Sequence, residues 1–271
     1  MQKIINAHCH IYPASIAAKA VDGIKNFYSL NMSLDGTTDG LIADGKKVGV
    51  AHYLVHSVAT KPSQVRSINE FISGEVKAHP GVFTGFGTLH PDSTDMEGDF
   101  NHLLEQGLKG VKLHPDFQRF ALDSEQAFAI GRVVSKSPVP LLIHCGDYRY
   151  NYSNPQQLKT FLTEFPNLTV IGAHFAGWSV WKQAAEVLAG TPNLYVDCSS
   201  SLYRITSQTA ANLVHAYGAN RVLWGTDYPM WESEKEMEMF RNIGLTPEEE
   251  RLILYENAAN LLNINNENTE E

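Results

Sequence analysis

The chain has 271 residues, 43% of them apolar and 19% charged, enough to bury one large core and ordinary for a folded enzyme-sized protein. A net charge of −9 argues against nucleic acid or an anionic membrane as partner, because both call for a basic surface. The N-terminus, MQKIINAHCHIYP, has no signal-peptide core and no apolar run reaches the length of a bilayer span, so a cytoplasmic location is expected.

In chain order, short apolar runs alternate with amphipathic stretches. Strands are predicted at 3–7, 50–55, 82–88, 110–113, 139–143, 168–172, 194–197 and 221–224. Helix-like segments lie at 62–80, 98–107, 124–137, 154–167, 179–190 and 200–218, with apolar residues at helical spacing. Gly107, Gly190 and Gly218 stand where helices should stop. Strand–helix alternation implies parallel pairing through right-handed crossovers. Eight repeats predict an α/β fold of the (β/α)8 TIM-barrel type, with residues 1–264 as one domain. A doubly wound open sheet is the alternative, but its ligand groups gather at one switch point, whereas here polar residues recur on at least six strand ends.

The insertion from Tyr12 to about Lys47 reads either as a lid or substrate wall, or as a plain connecting helix and loop. Near the C-terminus, Thr246 followed by Glu249 is a capping pattern that opens one or two helices closing the barrel. The last residues, 265–271, read as a disordered tail. Cys9, Cys145 and Cys198 lie in or beside predicted strands without a CxxC pair. Buried, inert thiols are expected rather than disulfides or a thiolate zinc site.

Six residues carry the chemistry: His8 and His10 in INAHCH, His114 in GVKLHP, His144 in PLLIHCG, His174 in VIGAHFAG and Asp227 in VLWGTDYP. Each follows an apolar run and precedes a polar or glycine-containing turn. Residues two apart on a strand share a face, so His8 and His10 can enter one barrel mouth. With His144 at the end of the fifth strand and Asp227 at the end of the eighth, which neighbours the first on closure, they form a His3Asp set for one divalent ion. Zinc suits this set best, with manganese, iron or cobalt as alternatives. His174 is assigned to acid/base work or to holding the substrate rather than to the ion.

Lys112 shares a strand face with His114. It has three readings: a carboxylated bridge to a second ion, an anchor for an anionic substrate group, or a salt bridge inside the barrel. His114 and His56 are expected to face substrate, and Arg149, in the loop after the fifth strand, to pair with a substrate carboxylate.

The segments INAHCHIYP, GVKLHP, LLIHCG, GAHFAG, WGTDYP and YENAANLLNI together resemble the amidohydrolase superfamily. More closely they resemble its branch of aminocarboxymuconate-semialdehyde decarboxylases and lactone hydrolases. The resemblance implies a metal-dependent TIM barrel, ligation by His8, His10, His144 and Asp227, and a catalytic His174. The GVKLHP element departs from the decarboxylase pattern towards the hydrolase-leaning members.

The expected function is hydrolysis of a small amide, ester or lactone by a metal-activated water, with Asp227 as general base. Two alternatives are a metal-dependent, non-oxidative decarboxylase of an unsaturated or aromatic acid and a metal- or ligand-binding barrel without turnover. The partner is a small-molecule substrate, and a homodimer is the expected assembly.

Overall fold

A computed structural model describes residues 3–264 of the chain. Nine parallel strand segments run β1 (Ile4–His10), β2 (Val50–His56), β3 (Phe83–Gly85), β4 (Gly87–Thr88), β5 (Val111–Leu113), β6 (Leu141–Ile143), β7 (Val170–Gly172), β8 (Leu194–Asp197) and β9 (Val222–Leu223). They overlap all eight predicted strands. β3 and β4 are halves of one barrel strand interrupted at Phe86, whose N–H still bonds Val55 O at 2.9 Å. The ring closes between the last strand and the first: Ala7 N–H donates to Trp224 O at 2.9 Å and His10 N–H to Tyr228 O at 2.7 Å. The fold is a (β/α)8 barrel, as the alternation predicted.

The helices are α1 (Ala14–Tyr28), α2 (Thr38–Lys46), α3 (Val65–Ala78), α4 (Met96–Glu105), α5 (Pro115–Gln118), α6 (Glu125–Val134), α7 (Pro155–Glu164), α8 (Trp181–Leu188), α9 (Ser207–Tyr217), α10 (Ser233–Arg241), α11 (Pro247–Arg251) and α12 (Asn257–Leu261). Thr246 and Glu249 form the expected capping box, and Gly107, Gly190 and Gly218 take the positive φ expected past a helix end. One boundary differs. The helix predicted at 200–218 starts at Ser207, because Ser199, Ser200 and Ser201 instead spend their hydroxyls on the strand-end residues and on one another's backbone. No helix of the described residues is long and apolar enough to cross a membrane. The tail expectation, 265–271, lies outside the described residues.

Strand alternation divides the apolar residues into two layers. Val55, Val111, Leu113, Ile143 and Val196 point outward into the shell between strands and helices. Ile5, Ala7, Leu54, Phe86, Leu142, Ile171, Ala173 and Leu223 point inward and fill the barrel, and Ala258 and Ala259 of α12 plug it from below. All three cysteines are buried and free.

Candidate active site

The site begins with an irregularity in β1. Between the pairs Asn6↔Tyr53 and Cys9↔Val55, β1 advances three residues while β2 advances two. This bulge inserts one residue and reverses the alternation. Ile5 and Ala7 face the barrel core below it, whereas above it Cys9 and Ile11 face the outer shell. His8 and His10 therefore share the inward face without costing the strand its apolar layer. Both β1 and β2 run on through their histidines, to His10 and His56, rather than ending before them.

His8 is aimed from both sides. Its Nδ1 lies 2.9 Å from Asp197 Oδ2 on β8. Burial alone would raise the Asp197 carboxyl, but His8, His174 and the Ser199 hydroxyl outweigh it and hold the group well below the usual carboxylate range. An ionised carboxylate only accepts, so His8 Nδ1 carries the proton and Nε2 presents its lone pair. That lone pair meets Lys112 Nζ at 3.1 Å and lies 3.3 Å from Asp227 Oδ1. His10 Nε2 lies 3.4 Å from the same oxygen. Gly225 makes this approach geometrically feasible, since a Cβ there would sit 2.8 Å from His8 Cβ. Asn6 fastens the two strand ends, its side chain bonding both the hydroxyl and the N–H of Thr226.

Asp227 sits at φ 55°, in the left-handed region, and Ser200 Oγ donates to its Oδ2 at 2.6 Å. Burial would push its carboxyl up, but His8 and the hydrogen bond from His10 prevail and keep it well below the usual range. His174 stands in a run of three left-handed residues, His174, Phe175 and Ala176. This turn is anchored by Asp197 Oδ1, which accepts from His174 N–H at 3.1 Å. Such backbone strain is a feature of functional sites where the surroundings over-determine it.

A relay of ring contacts orders the other imidazoles. His174 Nδ1 donates to the Ser199 carbonyl at 3.0 Å, which leaves Nε2 to accept from His144 Nδ1 at 3.1 Å. His144 stacks on His114 with centroids 3.9 Å apart, and its Nε2, without a hydrogen-bond partner, faces Asp116 Oδ2 at 3.8 Å. Burial pushes Asp116 up to about 7. His114 Nδ1 accepts from Phe117 N–H at 3.3 Å, so its Nε2–H donates to the Tyr28 hydroxyl at 2.9 Å. The phenolic proton of Tyr28 is then left to point elsewhere. In the HCG element, Gly146 is required because a Cβ would sit 2.4 Å from Trp178 N.

Burial pulls His10 and His174 down to about 4, against the opposing Asp227 carboxylate, and drives His56, His114 and His144 well below the ordinary imidazole value. Burial also lowers Lys112 to about 8. Neutral imidazole is the form that binds a metal. His8, His10 and His56 each offer a nitrogen within 4.8 Å of the others. Both nitrogens of His56, Nδ1 of His10 and Nε2 of His144 have no hydrogen-bond partner although buried. Buried polar atoms are normally satisfied. The unpaired nitrogens of His10 and His56, gathered with His8 beside an ionised Asp227, fit a divalent cation, whereas His144 Nε2 faces Asp116.

The structure thus brings His8, His10, His174, Lys112 and Asp227 together, with His114 and His144 along the same cavity wall. Three placements differ from expectation. His56 lies beside His8 and His10 because β2 pairs directly with β1, whereas His144 reaches Asp227 across His174. Arg149 is not free for a substrate: its guanidinium makes two bonds to Asp147, at 2.9 and 2.7 Å, and a third to Phe27 O at 2.8 Å. It also lies over the ring of Phe27 at 4.9 Å, so it ties the end of α1 to the rim. Asp197, Asp116, Ser200 and Tyr28 escaped sequence reasoning. The acid closing β8 before a run of serines was the signal for the first, and nothing local marked Tyr28.

The sequence profile of the amidohydrolase family matches residues 5–264. None of the curated proteins searched matches. Among solved structures, an uncharacterised TIM-barrel protein from Bordetella bronchiseptica superposes with a TM-score of 0.80 at 20% identity, covering 97% of this chain and 99% of the other. A Pseudomonas putida protein provisionally assigned as a 2-pyrone-4,6-dicarboxylic acid hydrolase gives 0.69 at 17%, covering 97% and 98%. A dihydroxybenzoic acid decarboxylase from Polaromonas sp. JS666, with bound manganese, gives 0.73 at 16%, also covering 97% and 98%. At these identities the likeness establishes the shared fold.

Proposed function

This chain belongs to the amidohydrolase family, and from that premise we propose that it is a metal-dependent hydrolase of an ester, lactone or amide. His8, His10 and Asp227 would hold one divalent ion, with His56, whose nitrogens are unpaired beside them, the nearest imidazole to complete the set, and His144 able to do so only by turning from His174. Zinc suits three imidazoles and a carboxylate best, and manganese is the next choice. The ion supplies Lewis acidity towards the scissile carbonyl and towards water.

The chain's own groups do the rest. Asp227, kept ionised and oriented by Ser200, accepts the proton of the attacking water and returns it to the leaving group. Lys112 is a fully buried ammonium whose Nζ meets His8 Nε2 at 3.1 Å; with that nitrogen given to the ion, its hydrogens would turn to the forming oxyanion. Tyr28 is a second donor. Burial raises its hydroxyl well above the ordinary phenol value, and His114 already supplies the bond to its oxygen, so its proton turns to the carbonyl. His174 positions His144 and borders Asp227 at 3.9 Å.

One observation carries this reading: a cationic donor and an ionised carboxylate flank one spot beside unpaired imidazoles. Decarboxylation needs an acid for the carbon that loses carbon dioxide; Asp116, pushed up to about 7, stands against His144 and does not line the cavity, whereas Lys112 and Tyr28, which do, suit an oxygen anion. The test is turnover of a panel of lactones, esters and amides in H2(18)O. Hydrolysis places one solvent oxygen in the product carboxylate, and Asp227→Asn lowers kcat/KM by about 10²- to 10⁴-fold without lowering the unfolding temperature. Carbon dioxide release from an aromatic acid with no solvent oxygen in the product, or full turnover by the variant, defeats the assignment. Binding of metal without turnover of any class would instead leave a non-catalytic barrel.

A further inference from the structure

We propose that the substrate carries an extended apolar arm, alkyl or aryl, which leaves the reacting carbonyl at the histidine-rich end of the cavity and lies between α1 and α3. This rests on reading the rim as the reacting centre. The cavity has a volume of about 670 Å³, room for a drug-sized molecule rather than for a small acid alone.

Its polarity is divided. The imidazoles, Lys112 and Asp227 line the inner end. Outward from Tyr28 the walls change: α1 presents Ile16, Ala20, Gly23 and Ile24, and α3 presents Ile68 and Phe71, with the exposed, uncharged Thr60, Gln64 and Ser67 beside them. Each set follows the three- and four-residue spacing of one helix face. A barrel helix ordinarily spends such a stripe on a neighbouring element. Here Ile68 and Phe71 pack on the core and Ile24 on Val21, Met32 and Met230 with part of their surface only, the remainder of both stripes lines a common space, and Ile16 stays 50% exposed. The one charged side chain on these outer walls, Lys19, is exposed at the edge. An arm with charges along its length would find no buried partner there, whereas methylenes or a ring would exchange water for apolar walls. Gly23 widens the channel, since a Cβ added there meets nothing within 4 Å.

The test is calorimetric binding of straight-chain carboxylates, from butanoate to decanoate, to the protein as purified and to Gly23→Phe. The ring of that variant enters open space, so the fold should persist, which circular dichroism and the unfolding temperature check. Affinity is expected to rise about threefold to fourfold per methylene until the channel is full. In Gly23→Phe the rise should stop early, with decanoate weakened at least tenfold and butanoate within twofold of the parent. If the variant unfolds, Ala20→Leu provides the same obstruction and the same readout. A flat series in the parent, or equal weakening of short and long chains in the variant, overturns the arm. Because binding is read without turnover, a rising series with no ester cleavage sinks the hydrolytic reading alone. Cleavage of short esters with a flat series sinks the arm alone.

Discussion

The two ends of the barrel are built from the same strands by opposite rules. At the lower end, inward residues are apolar, and Ile5, Leu54, Phe86, Leu142, Ile171 and Leu223 pack on one another and on α12. At the upper end, two to five residues further along those strands or in the turns that follow, inward residues are His10, His56, His144, His174 and Asp227, joined by Lys112 of β5. The lower layer gains from every group it buries. The upper layer hides ionisable groups at a cost, leaves several nitrogens without a partner, and keeps two key residues at positive φ. The contrast teaches that the lower half supplies the stability which the upper half gives up for chemistry.

Acid should break this division most sharply. His10, His56, His114, His144 and His174 are all held below their ordinary value by burial. Each therefore takes up its proton near pH 6.5 once unfolded but not while folded. Below that pH the unfolded chain binds more protons, so stability falls as pH drops, and above it these groups leave stability level. Asp116, pushed up to about 7, and Glu236, raised well above its ordinary value by burial, work in the opposite sense but are two groups against five. Chelator-treated protein should lose on the order of several kcal/mol between pH 7 and pH 5. Urea unfolding curves at each pH measure this, and a level stability over that range would contradict it.

The next effect isolates the lower half. Phe86→Ala empties the middle of the barrel and should cost about 3–5 kcal/mol, read as a drop in unfolding midpoint. The metal affinity of the surviving folded protein should change little. Loss of metal binding at unchanged stability would mean that the layers are not separable as described.

The smallest effect isolates the upper half. Asp197→Asn keeps the shape but removes the charge that fixes the His8 proton on Nδ1. Metal affinity should fall about 10- to 100-fold, measured by competition with a chromophoric chelator, while the midpoint moves far less than in Phe86→Ala. An affinity within twofold of the parent would show that Asp197 does not direct His8.

Much of the frame was legible because it follows from period and punctuation. The eight apolar runs, the intervening helices, the capping box at Thr246 and the location of polar residues at strand ends are local signals. The alternation rule correctly put His8 and His10 on one face. It could not show the bulge that reverses the face between Ala7 and His8, since an inserted residue is visible only against a paired strand. Arg149 looked like a substrate clamp because a loop arginine carries no sign of its partners, and its partners Asp147 and Phe27 became visible only with the fold. Tyr28 ends a helix in an insertion whose course over the mouth no local pattern dictates.

The amino-acid order alone determined the kind of fold and the inventory of imidazoles and carboxylates at its rim, because both depend on residue type and on spacing within a few positions. The tertiary structure decided which nitrogen of each ring is free, which acid directs which histidine and where the apolar channel runs. Those depend on strands some 190 residues apart, such as β1 and β8 joined by His8 and Asp197, being brought to within a hydrogen-bond length by closure of the barrel.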